Sequence, residues 1–135
     1  MSVGYGGYCV KYGENAEYVL YEYYAFDLNV PGFHNDKRQM DGLIKIDKTT
    51  FIEPEIHTRI KRRPGHRKIT IVKRVERPVP YDEYLKSGRI ELLNSSYCSV
   101  ISPDGYGRVG LILIYQIYSE YQMNGEIPHR VSIVC

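Results

Sequence analysis

A chain of 135 residues is long enough to bury one hydrophobic core and too short for two domains of ordinary size, so a single domain over 1–135 is expected. With 43% apolar and 25% charged residues it is neither a disordered nor a fibrous sequence, and its longest apolar run, 109–118, is too short for a bilayer. The net charge of +2 conceals a segregation: residues 53–77 carry nine Lys or Arg against three Glu, with five basic against seven acidic side chains before them and four against six after.

The N-terminal Met1-Ser2-Val3-Gly4-Tyr5-Gly6-Gly7 has neither a basic region nor a following apolar stretch, so no secretory signal is expected. Val3 to Tyr12 and Glu17 to Leu28 are dominated by Tyr, Val, Leu and Phe and are expected as strands, with Gly13-Glu14-Asn15 as the hairpin connection. Asn29 to Asp41, holding Pro31-Gly32 and Asp36-Lys37-Arg38, is expected as an exposed loop. Gly42 to Asp47 follows as a short strand. Thr50 to Ile60 reads as another, placed at an edge or bulged because Pro54 cannot donate a ladder hydrogen bond.

Arg63-Pro64-Gly65-His66 has Pro and Gly at the second and third positions of a type II turn. A tight hairpin there sets Arg62 opposite Arg67, Lys61 opposite Lys68 and Ile60 opposite Ile69, and the like charges repel. Tyr81 to Gly88 is expected as a short helix, with Asp82 and Glu83 in its first turn and Gly88 as its stop. A strand Ile90 to Leu93 precedes the best-marked helix, which begins between Asp104 and Arg108 and ends at Asn124-Gly125. Its apolar stripe runs through Val109, Leu113, Ile117 and Tyr121, broadened by Ile114 and Tyr118, with Gln116, Glu120 and Gln122 opposite. Val131 to Val134 is the last strand. The expected fold class is α+β: a mostly antiparallel twisted sheet with one long C-terminal helix packed on a face and a short additional helix.

Candidate chemistry is sparse. Cys9, Cys98 and Cys135 form no C-x-x-C or His-rich metal spacing, so buried thiols in a reducing cytoplasm are expected, with no metal and no cofactor. Gly4-Tyr5-Gly6-Gly7 lacks the preceding strand and the Lys-Ser/Thr of a phosphate-cradling loop. His57 and His66 beside Lys61 or Lys68 have the residue types of a metal-independent ribonuclease, yet their nine-residue separation spans roughly 30 Å along an extended strand. The hairpin 57–74 carries Arg59, Lys61, Arg62, Arg63, Arg67, Lys68, Lys73 and Arg74, residue types that contact nucleic-acid phosphates. Against that use, no aromatic residue lies between Ile52 and Pro80, and the sequence pI is 8.4.

Two stretches have a family look: Asn94-Ser95-Ser96-Tyr97-Cys98 and the tail running from Ile114 to Ser132, beside the Tyr-rich N-terminal strands. Together they resemble the small cytoplasmic immunity proteins of bacterial polymorphic-toxin and contact-dependent inhibition systems. The resemblance implies a non-enzymatic protein that binds one cognate toxin domain, often a nuclease, and blocks its active site or holds it inactive; apart from the resemblance, a monomer or weak dimer free of the membrane is expected. It carries over no binding residues. From the sequence, the candidate partner contacts are the loop acids Asp36 and Asp41, the helix acids Asp82 and Glu83, and the hairpin cations Arg62, Arg63, Arg67 and Lys68. Fourteen Tyr hydroxyls, each needing water or a partner, favour a wet groove or interface for some of these rings.

Overall fold

The computed structural model describes residues 4–62, 65 and 67–134. In chain order these form β1 (Tyr5–Glu14), β2 (Tyr18–Asp27), β3 (Gly42–Asp47), a 3-10 turn (Lys48–Thr50), β4 (Glu55–Arg62), β5 (Lys68–Val75), α1 (Tyr81–Ser87), β6 (Ile90–Leu93), α2 (Arg108–Asn124) and β7 (Arg130–Val134). The architecture is α+β, as the sequence predicts, but the strands are divided between two sheets. Five make an antiparallel sheet in the order β6-β3-β2-β1-β7, and β4 and β5 pair only with each other.

The main sheet alternates with period two, as a half-covered sheet must. Val19, Tyr21, Tyr23 and Ala25 of β2, Ile44 and Ile46 of β3, Ile90 and Leu92 of β6, and Val131 of β7 point to one side and are buried. The stripe Val109, Leu113, Ile114, Ile117 and Tyr118 of α2 closes over them. Each aliphatic side chain so buried contributes about 1.5–3 kcal/mol, which makes this layer the main source of stability. Two glycines permit close approaches, Gly7 between sheet and helix and Gly42 between neighbouring strands. A Cβ on Gly7 would lie 2.6 Å from Cγ1 of Val109, and one on Gly42 would lie 2.3 Å from Cε1 of Tyr23. The Gly-rich N-terminal stretch is thus a place where the helix meets the sheet.

Three local expectations are corrected. The β1–β2 turn lies two residues later than predicted: a register shift between Lys11 and Gly13 lets β1 run on to Glu14. Asn15 then makes the turn, its Oδ1 accepting from the amides of Glu17 and Tyr18 at 2.8 Å each. The segment 50–60 is not one strand, because the 3-10 turn capped by Asp47 and the extended residues through Pro54 delay β4 to Glu55. Gln122, expected on the solvent side of α2, is 2% exposed, because the segment that follows β5 crosses the end of the helix and hydrogen-bonds to it.

Candidate functional site

The β4–β5 ribbon is the feature of the fold that the core does not explain. All eight residues of β4 are exposed, and most of β5 is exposed or half-exposed. Its register differs by one residue from the tight-hairpin expectation: Arg62 pairs with Lys68, Lys61 with Ile69, Ile60 with Thr70 and Arg59 with Ile71. Among the described pairs, only Arg62 and Lys68 set like charges directly opposite each other. Gly65 has φ of 91°, in the left-handed region that a turn glycine supplies. Arg63, Pro64 and His66 lie outside the described residues, so the predicted type II turn and the His57–His66 pair do as well.

Residues paired across the ribbon share a face. One face carries Glu55, His57, Arg59 and Lys61 of β4 with Ile69, Ile71, Lys73 and Val75 of β5. The other carries Ile56, Thr58, Ile60 and Arg62 with Lys68, Thr70, Val72 and Arg74. Six cations therefore stand against one carboxylate, Glu55, which contacts His57 Nε2 at 3.1 Å. Large aliphatic side chains are exposed between them: Ile60 is 68% exposed, Val72 61% and Ile56 55%. A two-stranded ribbon with no layer over either face is marginally stable by itself in water.

What fixes the ribbon to the body is its root. Arg74 Nη1 donates to the backbone carbonyl of Gln122 at 3.0 Å. The Gln122 side chain accepts from the Arg77 amide at 2.7 Å and donates to the Arg77 carbonyl at 3.0 Å. Tyr121 donates its hydroxyl to Glu53 Oε1 at 2.7 Å, at the entry to β4. Sequence reasoning missed this joint, because Gln122 sits on the polar side of the helical stripe and nothing local marks a glutamine that pairs with backbone from 45 residues away.

The remaining candidate contacts fall elsewhere. Asp36, on the 29–41 loop, lines a cavity of about 320 Å³ with Tyr24, Phe26, His34 and Arg38. Asp41 is committed to the fold: it accepts from the Ser95 hydroxyl at 2.6 Å, from the Ser96 amide at 3.2 Å, and from the Ser96 hydroxyl. Partial desolvation works against its charge, but these hydrogen bonds hold the carboxyl below the usual range. Asp82 and Glu83 are exposed in the first turn of α1. Of the eight candidates, the structure thus groups Arg62, Arg67 and Lys68 near the ribbon's distal end and distributes the acids over two other elements.

The segment 94–98 that carries the family look is scaffold. Asn94 Oδ1 accepts from the Gly107 amide at 2.7 Å while its Nδ2 donates to the Gly105 carbonyl at 2.8 Å, fixing the start of α2. The Ser95 amide donates to the buried Tyr23 hydroxyl at 2.9 Å. Burial pushes the thiols of Cys98 and Cys9 up, Cys9 to about 12, so neither is an activated nucleophile. Among the described residues no group of His, Cys, Asp or Glu is arranged to hold a metal ion, and no helix is long and apolar enough to cross a membrane.

Comparison with protein-family models, with curated proteins and with solved structures returns no match.

Proposed function

We propose that the chain is a binding protein of the immunity type, which docks a protein toxin domain through the β4–β5 ribbon and neutralises it. The single observation that carries the docking role is the ribbon's exposure on both faces, with Ile56, Ile60 and Val72 left in water among six cations. Burying those aliphatic side chains against a partner would supply the layer that a free two-stranded ribbon lacks. The toxin as partner rests on the sequence resemblance. The sign of the ribbon adds a requirement, namely an acidic surface on that partner. The carboxylates with which a nuclease holds its catalytic cations are one such surface, so a basic ribbon entering that cleft would block it.

The same cations favour a second reading, in which the ribbon binds nucleic acid directly. Two measurements on the purified full chain separate the two. Co-purification from the native host, with and without nuclease treatment, recovers a stoichiometric protein under the first reading. That protein's expression should arrest growth of a host cell, and co-expression of this chain should restore it. Recovery of nucleic acid alone, with an affinity that falls steeply with salt and disappears on Arg62→Glu, Arg63→Glu, Arg67→Glu and Lys68→Glu, overturns the immunity reading.

A further inference from the structure

We infer that β4 is a template for strand addition, and that its occupant is an extended protein segment alternating acidic and aliphatic side chains. This inference rests on the docking role proposed above and specifies its chemistry. β4 pairs with β5 on one edge, and among the described residues no strand covers its other edge. Contact with the body is made by β5, through Arg74 and the end of α2, which leaves the outer edge of β4 accessible. An uncovered edge presents backbone N–H and C=O groups that an added strand satisfies.

The side chains of β4 specify what that strand must carry. His57, Arg59 and Lys61 alternate with Ile56, Thr58 and Ile60, all exposed. A strand laid beside β4 puts its own alternate residues on the same two faces, so acids would lie beside the first set and aliphatics beside the second. The alternation also selects against the obvious competitor. A second copy pairing edge to edge through β4 offers these cations only its own Glu55, so an acidic strand matches them better. Duplex nucleic acid matches the cations but offers Ile56, Ile60 and Val72 no apolar counterpart. An extended acidic and aliphatic segment matches both sets.

The test uses the full-length protein and a short fluorescent peptide alternating glutamate and valine, with binding read by anisotropy. Two control peptides replace glutamate by lysine or carry N-methyl groups on the backbone amides, those facing either edge included, so that none can donate to β4. The expected result is saturable binding of the glutamate peptide, with at least about tenfold weaker binding of either control. In the Arg59→Glu, Lys61→Glu variant, whose changes are on exposed side chains, the preference should invert toward the lysine peptide. Equal binding of the N-methylated peptide overturns strand addition in favour of charge attraction alone. Displacement of the peptide by a DNA duplex at lower concentration overturns the protein occupant, and absence of any binding overturns the inference outright. A toxin partner captured equally well by the Arg59→Glu, Lys61→Glu variant would sink strand addition and leave the immunity reading standing, whereas capture of no toxin sinks the latter by itself.

Discussion

Replacing Gln122 by Leu tests whether the ribbon is held by the polar joint at its root. The substitution keeps a buried side chain of similar size and removes both hydrogen bonds to the Arg77 backbone, at 2.7 and 3.0 Å. Each such bond contributes about 1 kcal/mol net. Both bonds are only partly buried, so the full penalty for burying unpaired groups is not added. The expected loss is therefore about 2 kcal/mol, which lowers the urea midpoint by roughly 1 M for a domain of this size. The second readout is local: amides of β5 should exchange markedly faster in Gln122→Leu, while those of β2 and β3 change only with the global stability. A midpoint shift below about 0.3 M, or β5 exchange that merely follows the core, would refute the assignment of Gln122 as the anchor.

The other expectations follow from the same geometry. Gly42→Ala places a methyl group 2.3 Å from the buried Tyr23 ring and should destabilise the fold by about 1–3 kcal/mol in urea unfolding, whereas Gly13→Ala, with nothing within 4 Å, should stay within about 0.5 kcal/mol. Glu14 is held at about 2 by its hydrogen bonds to Lys48 and Lys11, so its contribution to stability is present above the ordinary carboxylate range and is lost as pH falls through about 2. Carboxylate NMR titration should show that midpoint, and Lys48→Met should move it upward. Cys9 and Cys98 should resist iodoacetamide at mildly alkaline pH while the protein is folded and react fully in urea, because burial keeps both as thiols; labelling of either in the native state would contradict their placement.

Most of the main sheet was legible in the sequence, for a reason visible in its residues. β3, β6, α1 and α2 are short-range objects: Gly42–Asp47 and Ile90–Leu93 are bounded by turn residues, Gly88 and Gly125 stop the two helices at φ of 79° and 78°, and the apolar stripe of α2 repeats with the helical period. What the sequence left open was non-local. Nothing in 55–75 says whether its strands join the main sheet, because period-two alternation specifies faces and not neighbours. The tip residues alone point to a two-residue turn, but the register is set along the whole paired length and differs from that expectation by one residue. The burial of Gln122 and the hydrogen bonds of Asp41 were not legible, for a shared reason. Each is polar in a locally solvent-like context, and each is recruited by backbone or hydroxyl groups far away in sequence.

The tyrosines complete the division between body and ribbon. Their number favoured a wet aromatic interface, yet the deepest rings spend their hydroxyls inside the fold: Tyr21 donates to the Pro128 carbonyl at 2.6 Å, Tyr23 accepts from the Ser95 amide at 2.9 Å, and Tyr118 meets Thr50 Oγ1 at 2.5 Å. Burial pushes all three phenols up, so they are neutral hydrogen-bonding groups rather than acids or bases. Others are used as packing: Tyr81 lies 4.5 Å from Tyr115, and Phe51 lies 4.8 and 4.9 Å from Tyr118 and Tyr121. The ribbon, by contrast, has no aromatic residue, little contact with the core, and aliphatic side chains exposed beside its charges. The deepest tyrosines are satisfied internally, while Ile56, Ile60, Ile71 and Val72 stay exposed together on one two-stranded ribbon. The proposed docking role puts the partner on that ribbon rather than on the tyrosine-rich strands.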